Sequence, residues 1–166
     1  MSAGLYEITV NALLDRGVAL SRAEWETAAA RVGHERAPAL LVELTEADLL
    51  PAEVLPRAVA DAWTGPRRPT HRLDPEQWVE LFGAAGYAVD GEPAPRPGAP
   101  VRLYRGDVDE HRAGMTWTED RERATAGCAT AWTTLAAPEA LLARFTAADG
   151  GEYVVDPTVL GGIAVA

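Results

Sequence analysis

The spacing of hydrophobic positions changes near the middle of the chain. From residue 1 to about residue 88 apolar side chains return at helical intervals. Leu5, Ile8, Ala12 and Leu13 form the first such run, which ends near Gly17. Ser21-Arg22-Ala23-Glu24 has the form of a capping box, in which a hydroxyl and a carboxylate satisfy the first free amides of a helix. The helix it starts carries Trp25 and Ala28 through to Val32 and stops at Gly33. Thr45-Glu46-Ala47-Asp48 is a further start signal, followed by Pro51 and Pro56, which suit first-turn positions. After Pro56 the spacing of Val59, Ala60 and Trp63 predicts a helix closed by Gly65-Pro66. Asp74-Pro75-Glu76-Gln77 predicts another, with acidic groups at the positive end of its dipole, Trp78, Leu81 and Phe82 on one side, and an end between Gly83 and Gly86.

Residues 89–100 hold four prolines and two glycines in twelve positions, a composition that denies helix and sheet and predicts an extended linker. Beyond it the period becomes two. Val101 to Arg105 alternates, with Val101, Leu103 and Arg105 on one face. Met115 to Thr118 predicts a second strand, and Thr118 then caps a short helix from Glu119 to Ala126. Ala131 to Leu135 predicts a third strand, Ala140 to Phe145 a fourth with helix as its alternative, Tyr153 to Val155 a fifth, and Val159 to Val165 a sixth bent at Gly161-Gly162. The expected fold class is therefore α+β: a helical region over 1–88, a Pro/Gly-rich linker over 89–100, and a β-rich region over 101–166 on which the helices pack.

Composition changes this picture little. The chain has 166 residues, 48% hydrophobic and 24% charged, enough to bury a core and unlike a disordered chain. Its formal net charge of −10 argues against a nucleic-acid partner, because a phosphate backbone is repelled by an acidic surface. The basic cluster Arg67, Arg68, His71 and Arg72 lies in a Pro-rich turn and reads as a solvated loop. No apolar run of roughly 18 residues occurs, so no membrane span is expected. The N-terminus lacks signal-peptide order, and the single cysteine, Cys128, cannot close an intramolecular disulfide, which together favour a reducing, cytoplasmic setting. Cys128 sits among small residues and reads as a packing position.

Three short segments carry the candidate chemistry: Leu103-Tyr104-Arg105-Gly106, Gly114-Met115-Thr116-Trp117-Thr118, and Gly151-Glu152-Tyr153-Val154-Val155-Asp156. Each puts a polar group where a buried hydrophobe is expected. Arg105 offers a planar fork for phosphate, and Gly106 beside it allows close approach. Thr116 and Thr118 point to one face and Trp117 to the other. Glu152 stands at the mouth of an apolar strand, after the glycine-rich stretch Ala147 to Gly151.

In order and spacing the triplet resembles the Arg, Ser-x-Ser and Glu elements of the ADP-ribosyltransferases, over Leu103 to Pro157. The resemblance implies NAD as co-substrate and mono-ADP-ribosyl transfer, a glycosyltransferase reaction, to a macromolecular acceptor such as a protein. It implies that Arg105 holds the NAD phosphates, with Gly106, Trp117 and Thr118 around the ligand. It implies that Thr116 orients Glu152, and that Glu152 stabilises the oxocarbenium-like transition state as nicotinamide leaves. Two departures stand out. Arginine-modifying members carry Glu or Gln two residues before the catalytic glutamate, where this chain has Gly150, and Thr116 replaces serine.

Other chemistry finds little footing. His34, His71 and His111 show no metal-ligand spacing, and there is no glycine-rich phosphate loop and no nucleophile elbow. Asp107-Asp109-Glu110 and Glu119-Asp120-Glu122 read as solvated turns and helix starts. The alternatives to transfer are NAD hydrolysis and a non-enzymatic interaction protein on a degenerate scaffold of the same kind.

Overall fold

A computed structural model describes residues 2–108, 111, 113–127, 130–146 and 151–166. Asp109, Glu110, Cys128 and Gly150, which the sequence singled out, lie outside those residues, as does most of the glycine-rich stretch before Glu152. The chain divides into two compact units, Met1–Ala85 and Gly86–Ala166.

The first unit is helical because its start signals are local and are used. Helix α1 spans Ser2–Arg16 and α2 spans Arg22–Val32. The capping box forms in full: Ser21 Oγ accepts from the Glu24 amide and the Glu24 carboxylate accepts from the Ser21 amide. Helix α3 (Ala37–Glu46) begins at Ala37, with Pro38 in its first turn, rather than at Thr45. Thr45 instead lies in its last turn, donating its hydroxyl to the Leu41 carbonyl, so the expected start at Thr45 is corrected to an end. Helix α4 (Leu55–Thr64) starts on Pro56, and α5 (Pro75–Ala85) runs through Gly83. The core gathers Trp25, Leu40, Leu41 and Leu44 with an edge-on pair, Trp63 and Trp78, whose ring centres are 5.1 Å apart. Two buried indoles find acceptors: Trp25 donates to Asp61 and Trp78 to the Pro69 carbonyl, each at 3.1 Å. On α1 the helical period holds, but Leu5 and Ile8 face solvent while Thr9 and Val10 are buried. In the basic turn, Arg72 pairs with Glu35, which also accepts the Arg67 amide.

The second unit is an eight-stranded mixed sheet. Its strands are β1 (Ala88–Val89), β2 (Glu92–Pro93), β3 (Val101–Gly106), β4 (Thr116–Thr118), β5 (Ala131–Ala136), β6 (Leu141–Phe145), β7 (Glu152–Val155) and β8 (Ala164–Val165). They lie in the order β2-β1-β6-β7-β4-β3-β5-β8, parallel between β1 and β6 and otherwise antiparallel. The expected linker therefore starts as a hairpin. Asp90 and Gly91 both take positive φ, 52° and 80°, the geometry of a tight two-residue turn, and Pro93 is tolerated because β2 is an edge. The sixth expected strand shrinks to Ala164–Val165, with Thr134 donating to the Gly161 carbonyl where the strand was expected to bend. One face of the sheet buries Leu103, Trp117, Trp132, Leu141, Tyr153 and Val155, with Tyr87 and Ile163 packed against them. Helix α6 (Arg121–Thr125) crosses beside β3 and β4, and its N-cap is Asp120 rather than Thr118.

Candidate active site

Strands β7, β4 and β3 are consecutive neighbours in the sheet, which brings the three chemical segments side by side. Thr118 lies directly across from Glu152 on one side and from Tyr104 on the other. The row Glu152, Thr118, Tyr104 thus spans two strand spacings, about 10 Å, with Arg105 one residue further along. A cleft of about 220 Å³ is lined by Tyr104, Arg105, Thr116, Thr118, Arg123 and Glu152, with Gly106 and Trp117 also at its wall. Every site residue expected from sequence therefore borders one cavity.

Within it their situations differ. The pleat gives Thr116, Thr118 and Glu152 one face, whereas Arg105 has the parity of Leu103 and stands opposite Trp132. The Arg105 side chain turns over the end of β4 instead. Its Nε donates to the His111 carbonyl at 3.1 Å, Nη1 to the Thr116 carbonyl at 2.7 Å, and Nη2 pairs with Asp107 at 2.8 Å. A guanidinium with this set of acceptors ties Asp107, the His111 carbonyl and the Thr116 carbonyl to one side chain. Gly114 makes room for it: a Cβ there would stand 2.3 Å from Arg105 Cζ.

Trp117 is 1% exposed and donates its indole N–H to the Gly114 carbonyl, so it belongs to the core and supports the cleft from behind. Thr118 is buried, and its hydroxyl oxygen accepts from the Asp120 amide at 3.1 Å. A hydroxyl has one proton to donate besides, so Thr118, opposite Glu152, is as well placed as the diagonal Thr116 to orient the carboxylate. Glu152 is half-buried.

Sequence reasoning missed Asp107, Gly114 and Arg123. Asp107 follows Arg105 by two residues, a spacing that carries a charge-pair signal on a strand. Arg123 had no signal of its own: it reaches the cleft only because the Asp120 carboxylate caps α6, accepting the Glu122 and Arg123 amides, while Ala124 is buried beneath.

Behind the site, on the core face, Tyr87 and Tyr153 stand together. Burial pushes the Tyr87 phenol up to about 12, with its neighbour Tyr153 adding to the effect, and burial also raises Tyr153. Arg144 lies 5.3 Å from the centre of the Tyr153 ring and pairs with Glu119 at 3.0 Å. Among the described residues no group of three or more His, Cys, Asp or Glu is placed to hold a metal ion, and no helix is long and apolar enough to cross a membrane. Comparison with protein-family models, curated proteins and solved structures returns no match.

Proposed function

We propose that this cleft binds NAD and that the chain transfers its ADP-ribose to a macromolecular acceptor, a protein. The observation that carries the reading is the convergence of Arg105, Thr116, Thr118 and Glu152, from three adjacent strands, on one cavity. In the reaction the bond between nicotinamide nitrogen and ribose C1′ breaks, and its electron pair leaves with nicotinamide. An acceptor nucleophile forms the new bond to C1′ and releases its proton. Positive charge builds on the ribose meanwhile, and a fixed carboxylate at Glu152 offsets it without reorganising. With water as the nucleophile the same site hydrolyses NAD. On this reading the cleft, about 220 Å³, takes the nicotinamide-ribose end, and the adenosine extends beyond it.

Nicotinamide release from NAD by the purified protein, with and without cell lysate and beside Glu152→Gln, tests the reading. Loss of the charge is expected to slow release by about a hundredfold or more. Equal release by the variant sinks the mechanism, and dependence on lysate separates transfer from hydrolysis.

Two observations favour a second reading: the Arg105 guanidinium is engaged by its own chain, and the cleft is smaller than the roughly 300–1,000 Å³ of ordinary ligand sites. On that reading the sheet is a scaffold in a non-enzymatic interaction protein. Neither nicotinamide release nor NAD binding would then be found.

A further inference from the structure

The cleft holds two arginines in unlike circumstances. Arg105 is committed to two carbonyls and the Asp107 carboxylate. A phosphate arriving at Nη2 would exchange one anion for another, so most of the electrostatic gain cancels against the lost pair. Arg123 lines the same cleft from α6, is exposed, and among the described residues its guanidinium has no hydrogen-bond or ion-pair partner. Its backbone is nevertheless held beside the cleft, because α6 is capped by Asp120, and the Asp120 amide is in turn held by Thr118 within the site. A cation on a short anchored helix, facing a cavity that also contains Glu152, gives the cleft a cationic side and an anionic side.

We infer that Arg123 is the residue that recognises the diphosphate of the ligand, and that Arg105 is a positioning residue that shapes the cleft wall. The inference deepens the NAD reading and rests on it for the identity of the ligand. It assigns the planar bidentate contact to the guanidinium that has donors to offer.

The test is calorimetric titration of ADP-ribose, which carries the diphosphate, and of nicotinamide riboside, which has no phosphate. The proteins are the full chain, Arg123→Ala and Arg121→Ala; Arg121 is the exposed neighbour on the same helix, outside the cleft, and its removal changes the net charge equally. Arg123→Ala is expected to weaken ADP-ribose at least tenfold, with the riboside unchanged and Arg121→Ala like the full chain. Equal ADP-ribose affinity in the two arginine variants overturns the inference, and so does an absence of ADP-ribose binding by the full chain. Nicotinamide release from NAD with an unchanged KM in Arg123→Ala overturns it too, while leaving the NAD reading standing. ADP-ribose binding that depends on Arg123, with no nicotinamide released from NAD, upholds it and removes the catalytic reading instead.

Discussion

Replacing Gly114 by alanine sets one methyl group against one guanidinium. The built Cβ stands 2.3 Å from Arg105 Cζ and Nη2 and 2.8 Å from Nε, where such atoms normally keep about 3.5 Å or more. The backbone at Gly114 is not in the left-handed region, so alanine itself brings no strain there. The guanidinium must therefore move by about 1 Å, enough to break hydrogen bonds now at 2.7 to 3.1 Å. Bonds to a charged group contribute about 1.5–3 kcal/mol each. Water replaces part of that, since the Arg105 side chain is 20% exposed. Alanine also returns about 0.4–1 kcal/mol by restricting the unfolded chain. The expected net loss is about 2–3 kcal/mol. Amide hydrogen exchange along β3, β4 and β5 reads this in the sheet unit alone, which the tryptophans, present in both units, do not. The decisive measurement is the double-mutant cycle. With Arg105→Ala in place the three nearest atoms that the methyl would strike are gone, and Gly114→Ala should be neutral or slightly stabilising. An equal cost in both backgrounds, or no cost in the natural one, refutes the account of Gly114 as the space that Arg105 needs.

Ser21→Ala should destabilise the helical unit by about 1 kcal/mol, measured as a lower urea midpoint with unchanged slope, because the Glu24 amide loses its acceptor. The Glu24 carboxyl is held below its usual value chiefly by the Ser21 amide and then by Arg16, so its contribution is present at neutral pH and is lost as pH falls through the lowered value; Glu24→Gln should flatten that acid limb. Tyr87 behaves oppositely. Its raised value, about 12, means full stability below pH about 10 and a decline as pH rises from there toward 12, read by hydrogen exchange of the sheet unit, and Tyr87→Phe should soften the decline.

What the sequence disclosed was whatever is short-ranged. The capping box at Ser21 and Glu24 needs four consecutive residues, and it forms as expected. The alternation from Val101 to Arg105 likewise marks β3 within one residue. Thr45 misled because a hydroxyl followed by acidic groups looks alike at either end of a helix, and only packing of Leu40, Leu41 and Leu44 decides that α3 comes before it. The prolines of 89–100 concealed a hairpin because Asp90-Gly91 and an edge position excuse Pro93. In the site, the three segments were visible as strand-borne polar groups. Their partners were not: Asp107 and the carbonyls of His111 and Thr116 claim Arg105, and no local pattern encodes where those carbonyls come to lie. That Thr118 faces Glu152 follows from register alone.

The sheet order has a consequence in time. Strand β7, which brings Glu152, pairs with β4 and β6 only after β5 and β6 have been made in between, and β1 waits for β6 before it gains its parallel neighbour. Most of these contacts join distant parts of the chain, so loop closure must be met before they return anything, and folding of this unit should be slow for its size. The cleft comes into being with the last of those closures. A nascent chain still lacking β7 has Arg105 and both threonines but no carboxylate opposite them, so the cleft is incomplete until Glu152 has been made and paired.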